Sequence, residues 1–551
     1  MTLFNLSYFS LLQIFCPCRF AHNTIQALSS WKRQIIALFA GAATGLALPP
    51  VNFFPICFLT FPILTWLLDG IYVQRITKRR QRYKAAILTG WNFGFGYFVA
   101  GLWWLGGAVL IDITVYGWIM PFAVFGLPAY LAFFYAFATF VAFLLWKPGY
   151  RRIITLSIAF GLAEWLRSQI FTGFPWNALG YTAMPFPLLI QAVAVIGLDG
   201  MNMLAVLVYT TPALFIERKG KKIGFLVAAI LMIADFSFGF YRLNMEAPVH
   251  ILASKTIRVR IIQPSILQSE KIDIATRRVN FERHLQLTAA APINGVTPPR
   301  LIIWPETSVP YILDYTPAAL ERITRILKDN QLALVGAVRV EKINSATATF
   351  RYFNSLQIIH PKGKIIASAD KVHLVPFGEY LPLDSWFRKL GLQAIASFAG
   401  GYSAAEKHSI IALENGLLLL PLICYEAIFP IDLTHEKLKP DVLVNITNDA
   451  WFGNTPGPWQ HFAQVRIRAV EQGISLIRAA NNGISAVTDP YGRIIAMLKH
   501  NEIGFIDIDL PIKTVPVWSQ NFTKIYIFYI FSLLLLSIKG MKIFVQDYYT
   551  G

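Results

Sequence analysis

Three chemically capable side chains stand at the ends of apolar runs: Glu306 after LIIWP, Lys371 at the head of KVHLVPFGEYLP, and Cys424 at the close of LLLLPLIC. A thiol attacks a carbonyl only as its thiolate, so Cys424 needs a base to take its proton and a cation to steady the anion. Glu306 is the candidate base. Lys371 is the candidate cation, facing first the thiolate and then a tetrahedral oxyanion, with the backbone N–H after the cysteine as a second donor. Each residue alone also has a plainer reading. A cysteine behind a leucine run is often a small core hydrophobe, Glu306 can cap the turn after Trp304 and Pro305, and Lys371 can be a solvated charge. His373 and His461 invite a Cys–His pair or a metal site, but no second ligand stands at a usual zinc spacing, so no metal is expected.

Such side chains need a frame. From Thr256 onward the chain carries short β-type runs at 257–263, 301–304, 332–340, 417–424, 441–447 and 505–510, with helical stretches at 317–328 and 460–472 between them. This alternation predicts an α/β layered domain whose strands are covered on both faces. The candidate groups fall at the C-terminal ends of the runs, where sites on α/β sheets are assembled. The helical stretch behind Cys424 would add a favourable helix N-terminus.

The rest of the chain has a different character. Of 551 residues, 55% are hydrophobic, and the mean hydropathy is +0.50, too apolar for an ordinary soluble enzyme. Stretches of bilayer-spanning length lie near 34–49, 53–69, 85–106, 119–146, 153–170, 186–216 and 223–241, with an eighth near 525–545. The formal charge of +18 sits largely in short clusters between these stretches, which points away from nucleic acid. By the positive-inside rule the clusters at 32–33, 75–84, 147–152 and 217–222 mark the cytoplasmic face, and the block that follows the seventh span falls on the opposite, periplasmic side. The expected organisation is an N-terminal extension over 1–30, a membrane bundle over 31–242, a catalytic domain over 243–522 and a C-terminal span and tail over 523–551. Of the four cysteines, at 16, 18, 57 and 424, only Cys424 lies in the catalytic block, so no structural disulfide is expected there.

At these residues a resemblance enters. LIIWPETSVP, KVHLVPFGEYLP, LICYEAIFP and NITNDAWFGNTPGPWQHF occur in this order, accompanied by AEWLRS and GFPWNALGY in the apolar half. Together they resemble apolipoprotein N-acyltransferases, the membrane-bound branch of the nitrilase superfamily. The resemblance covers about residues 33 to 545. It implies a nitrilase-like αββα sandwich joined to about eight spans, and a Glu-Lys-Cys triad that falls on Glu306, Lys371 and Cys424. It also implies support from Glu379, Tyr425 and Glu426. The implied reaction moves an acyl chain from a membrane phospholipid to the α-amino group of a diacylated cysteine at an apolipoprotein N-terminus, in the bacterial inner membrane, with no cofactor. One departure stands at QPSILQSEKI, where Ser265 and Ile272 replace the asparagine and the aromatic that such proteins often have.

The aromatic residues Trp176, Tyr181, Trp451 and Trp459 are candidates to line substrate or lipid access, with interfacial anchoring or plain packing as the alternatives. Glu164 and Arg167, three apart on one helix, are close enough to pair. Two competing functions use the same chain: a membrane-tethered amidohydrolase that passes the acyl group to water, and a transporter with an inert extramembrane domain. The candidate spans lack a sustained polar face, which weighs against the transporter.

Overall fold

A computed structural model describes residues 17–74, 78–109, 117–217, 221–244, 255–292, 297–344, 349–382, 401–431, 433, 436, 438–512 and 514–517. The chain divides into two compact units, the second of which runs from Asn244 to Val517.

In the first unit five helices are long and apolar enough to cross a membrane: Phe54–Val73, Arg79–Leu102, Phe122–Leu144, Val193–Ile216 and Lys221–Asn244. Among the described residues these meet five of the seven expected spans that fall there, so the expectation of about eight is too high at 34–49 and 153–170. The stretch at 34–49 folds as a helix of only 15 residues, Ser30–Thr44, closed by a 3-10 turn. The stretch at 153–170 lies in Tyr150–Gln169, whose apolar character is diluted by Arg151, Arg152, Glu164 and Arg167. The eighth stretch, near 525–545, lies outside the described residues, as do residues 1–16.

Small residues set how closely these helices pack. A Cβ on Gly41 would run into the Phe93 carbonyl, and one on Gly96 into the Leu38 carbonyl, so Ser30–Thr44 and Arg79–Leu102 approach backbone to backbone. Lys221–Asn244 instead leaves Ile223, Leu226, Ile230, Ile233, Phe236 and Phe240 exposed, as a lipid-facing helix would. The Glu164–Arg167 pair forms and is buried. Tyr135 donates to Glu164 at 2.7 Å, and Arg167 donates onward to the carbonyls of Phe174 and of Trp176, the latter at 2.9 Å. The ion pair thus fastens the 173–181 loop to its helix.

The second unit is built on twelve strands: β1 (Lys255–Gln263), β2 (Leu301–Ile303), β3 (Leu332–Asn344), β4 (Thr349–His360), β5 (Lys364–Asp370), β6 (Ile411–Ala412), β7 (Leu418–Ile423), β8 (Val442–Thr447), β9 (Ser475–Ala480), β10 (Ser485–Thr488), β11 (Ile494–Leu498) and β12 (Gly504–Ile512). They form two six-stranded sheets, ordered β12-β1-β2-β3-β4-β5 and β11-β10-β9-β8-β7-β6. The sheets meet along β1 against β9 and β4 against β7. Helix Arg277–Ala289 and helix Pro317–Ile326 cover the first sheet, with Phe281, Leu285 and Ile323 packed on Ile302, Trp304 and Val335. Helix Gly457–Gln472 covers the second, placing Val465 and Ala469 on Leu420, Leu422 and Leu443. The result is the expected αββα sandwich.

Pro421 lies inside β7, where a central strand would not accept it. The adjoining β6 is two residues long and pairs only as far as Leu418 and Leu419, so the flank at Pro421 needs no ladder donor. Strands β1, β2 and β3 run parallel, as do β7, β8 and β9. The antiparallel pairings of β4 with β3 and of β5 with β4 return β5 to the same direction. The C-terminal ends of β1, β2 and β5 therefore lie at one end of the first sheet.

Candidate active site

The turns that leave these strand ends are unusual. Ser265, Thr307 and Cys424, each within a few residues of the end of β1, β2 or β7, have φ of 49°, 44° and 54°. Non-glycine residues rarely hold such values, and they gather at functional sites where the surroundings impose them. Cys424 is the first residue after β7 and opens the 3-10 turn Cys424–Ile428, so the left-handed turn swings its side chain off the strand line.

Glu306 is gripped from both sheets. Asn354 on β4 donates to one carboxylate oxygen at 2.7 Å, and the backbone N–H of Asn448, behind β8, donates to the other at 2.9 Å. The same Asn354 amide donates to Glu379 at 2.9 Å. Lys371 lies 2.9 Å from Glu379 and 3.6 Å from Glu306. Strand pairing sets this arrangement, because the Lys371 N–H bonds to the Asn354 carbonyl at 2.9 Å. The structure thus brings Glu306, Lys371 and Glu379 into one cluster, with Lys371 only 1% exposed.

The electrostatics separate the roles these groups can take. Burial alone would lower the Lys371 pKa, but the charges of Glu379 and Glu306 outweigh it and push it well up, so the ammonium is permanent. The Cys424 thiol is pushed up to about 12, first by burial and then by Glu306, with Lys371 pulling the other way. Both charged groups therefore act on the sulfur, and no standing thiolate exists at neutral pH.

Glu426 has a different task. Its carboxylate accepts the backbone N–H groups of Ile423, of Val372 at 2.8 Å and of His373 at 3.3 Å. Burial raises its pKa to about 7 against the pull of those donors. It ties the Cys424 turn to the segment that follows Lys371. Tyr425 is buried edge-on against Phe429, with ring centroids 5.2 Å apart.

Neither histidine meets the sulfur as a base. His461 points its Nε2 at the Cys424 carbonyl, 3.3 Å away, and its Nδ1 at Asp449, 2.9 Å away. His373 stacks on Phe429 at 4.2 Å. His373, His408 and Glu426 do bring possible ligand atoms within 4.8 Å of one another, but the Glu426 carboxylate already serves three backbone amides.

Of the four aromatics, Trp176 and Tyr181 are buried in the helical unit, where Trp176 packs on Trp104. Trp451 follows β8 and is 41% exposed, and Trp459 packs against His500. Two residues escaped sequence reading altogether. Asn354 sits within a strand that no apolar run announces, and Lys271 lies in a polar stretch between strands. The signal for Asn354 was an asparagine inside the otherwise strand-like FNSLQII.

Gly336 on β3 explains how Glu306 can sit so close to the sheet. A Cβ there would strike the Pro305 carbonyl oxygen, the Glu306 Cα and the Thr307 nitrogen. Gly336→Ala is expected to push the Glu306 turn off β3, at a cost of about 1–3 kcal/mol of stability and at least a tenfold loss of transfer. Thermal unfolding and transfer rate check it, and unchanged transfer would show that the turn moves freely.

A glutamate, a lysine and a cysteine at strand ends of a two-sheet αββα sandwich define an enzyme of the carbon-nitrogen hydrolase superfamily. The family model described as carbon-nitrogen hydrolase matches residues 258–520. The first half matches the model described as apolipoprotein N-acyltransferase N-terminal domain, over residues 40–211. Apolipoprotein N-acyltransferase of Brucella suis is 48% identical over 493 residues, covering 90% of this chain and 92% of that protein. The Rhizobium rhizogenes protein of the same name is 47% identical over 91% of this chain and 94% of its own length. An amidase from Nesterenkonia sp. aligns with a TM-score of 0.31 and 19% identity, over 49% of this chain and 95% of that one. The chain belongs to the apolipoprotein N-acyltransferase family and is an acyltransferase and a bacterial membrane protein; the amidohydrolase reading is not favoured.

Proposed function

We propose that this acyltransferase moves an acyl chain from a membrane phospholipid, through a thioester on Cys424, to the α-amino group of the S-diacylglyceryl cysteine at a lipoprotein N-terminus. The observation that carries the reading is the buried Glu306–Lys371 pair, 3.6 Å apart on one sheet, which the Asn448 N–H ties at 2.9 Å to the sheet that ends in Cys424. Glu306 is the general base and acid, Lys371 the fixed cation, and Cys424 the nucleophile.

In the first half-reaction the thiol proton passes to Glu306 as sulfur bonds to the ester carbonyl carbon. A thiol held near 12 requires this concerted transfer, since too little free thiolate is present to act alone. Lys371, always charged, faces the tetrahedral oxyanion. The carbonyl–oxygen bond then breaks, Glu306 returns the proton to the departing alkoxide, and a lysophospholipid leaves. In the second half-reaction the neutral amine attacks the thioester carbon, the carbon–sulfur bond breaks, and the proton lost by nitrogen reaches sulfur through Glu306. Glu379 and Asn354 hold the base and the cation at their spacing, and Glu426 and Tyr425 hold the nucleophile turn.

Placement follows from the substrates. Withdrawing a buried acyl chain into water costs about 0.8 kcal/mol per methylene, which a membrane-tethered enzyme avoids. The clusters of lysine and arginine between the apolar helices support a cytoplasmic face for those loops and a periplasmic site at the inner membrane. Exposed Trp451 is the aromatic best suited to lie against an acyl chain.

Intact mass spectrometry of the purified protein after incubation with phospholipid tests the scheme. A hydroxylamine-labile acyl adduct is expected, absent from Cys424→Ala and discharged onto a diacylated lipopeptide with a free amine. An adduct released only as free fatty acid would make the enzyme a hydrolase, and no adduct on folded protein would remove Cys424 from the mechanism.

A further inference from the structure

The site holds a second lysine. The short helix Gln268–Ile272, just after β1, carries Lys271, whose Nζ donates to the main-chain carbonyl of Glu306 at 2.8 Å. The same helix reaches the base by another route. Gln268 accepts the side-chain amide of Asn448 at 2.8 Å, and the Asn448 backbone N–H holds the Glu306 carboxylate. The helix is itself tied down, since Asn280 donates to the Glu270 carbonyl at 3.0 Å and Thr276 donates to it as well. An ammonium this well anchored is not a solvated surface charge.

We infer that Lys271 is a positioning residue of the reaction centre, holding the Glu306 turn through its carbonyl and lending positive charge to the forming Cys424 thiolate during acylation. The inference rests on Cys424 being the nucleophile. Charge balance supplies the reason for two lysines. With Glu306 and Glu379 ionised, Lys371 and Lys271 together balance those two charges, while burial raises the neighbouring Glu426 to about 7. When the thiol proton moves to Glu306, the thiolate replaces one carboxylate and the sum is unchanged. Without Lys271 one negative charge would stand uncompensated both before and after the proton moves, and it would then fall on the sulfur, where burial penalises it.

The two lysines differ in proton affinity. Burial presses the Lys271 pKa down to about 8, against the pull of Glu306 and Cys424, whereas the two carboxylates hold Lys371 permanently charged. On the helix packed behind it, His284 is pushed down to about 3, chiefly by burial, with Lys271 and Arg283 adding to it, so His284 brings no positive charge of its own at neutral pH. Acylation assisted by the Lys271 charge is therefore supported below about pH 8 and weakens as pH rises through it.

The test is the rate of adduct formation on Cys424, followed by intact mass from pH 6 to 9.5, with a phosphatidylethanolamine of defined chain length in detergent micelles. In the parent, the rate is expected to decline above about pH 8. Lys271→Met should acylate at least tenfold more slowly at pH 7, lose the alkaline decline, and melt somewhat lower than the parent, because the Glu306 carbonyl loses its donor and a carboxylate loses its counter-charge. Lys271→Arg, a cation at every pH used, should carry the plateau past pH 9. Parental acylation by folded Lys271→Met, or an unchanged decline in Lys271→Arg, overturns the inference. If Lys271→Met does not fold, the Lys271→Arg profile decides alone. A parent that forms no adduct refutes the nucleophile assignment itself, a result distinct from either.

Discussion

Lys371→Ala is expected to lower acyl transfer by about two to three orders of magnitude, the loss seen when one preorganised donor to an oxyanion is removed. The chemical reason is only half of the expectation. Lys371 is the cation between Glu306 and Glu379, which share the single side-chain amide of Asn354. Without it, two carboxylates face each other in an enclosed space. One of them then takes up a proton; if that one is Glu306, the base is lost as well. Removing one partner of a buried ionic cluster costs about 3–5 kcal/mol of stability, so the variant should also melt earlier. Adduct formation measured by mass and thermal unfolding in detergent separate the two effects. A folded Lys371→Ala protein that acylates at the parental rate would remove Lys371 from the mechanism.

The second large effect lies behind the nucleophile. Arg478 donates to Asp449 at 2.6 Å, to Asn445, and to the Ile484 carbonyl at 3.2 Å. Asp449 also accepts from Thr447 at 2.9 Å and faces His461, whose other nitrogen meets the Cys424 carbonyl. Burial would raise the Asp449 pKa, but Arg478 and then His461 outweigh it and hold it at about 2. A carboxylate whose pKa is depressed on folding contributes stability above its unfolded value, near 4, and that contribution is lost as pH falls towards 2. Arg478→Met removes the chief cause of the depression and strands a buried charge, at a cost of about 3–5 kcal/mol near neutral pH. Because the stranded carboxylate protonates more readily, the melting deficit against the parent should be smaller at pH 4.5 than at pH 7.5. A deficit that is equal at both would show that the lost stability is packing, not charge. Acyl transfer should fall with it, since the support under the Cys424 turn is loosened.

The chemistry in the sequence was more legible than its geometry. Glu306, Lys371 and Cys424 could be found because each closes an apolar run, and runs ending in reactive groups stand out. The strands that announce themselves in the same way, β1, β2, β3, β7, β8 and β12, fall where the pattern put them. By contrast β4, β5 and β9 are hard to read. β5 alternates with exposed polar positions, and β9 carries Arg478 into a fully buried strand. Asn354 belongs to the same blind spot, since its importance comes from pairing across β4 and β5, a relation between distant positions. Lys271 is obscured for another reason: a lysine in a polar stretch reads as solvated, and only the fold reveals that its ammonium is held on the Glu306 carbonyl. The sequence over-counted membrane helices where an apolar stretch is too short once folded, as at Ser30–Thr44, or is diluted by charged residues, as at Tyr150–Gln169.

The division of the reactive groups between two sheets affects the protein before it is ever active. Glu306 and Lys371 leave strands made early along the chain, Cys424 and the residues beneath it belong to the sheet of β6 to β11, and the first sheet is itself completed only by β12. Neither half holds a working set, and the Asn448 N–H reaches Glu306 only when the halves have closed on one another. On the proposed mechanism, a newly made chain therefore carries an unassisted sulfhydryl until both sheets have closed. Competence in acyl transfer is itself a report that both layers have assembled correctly.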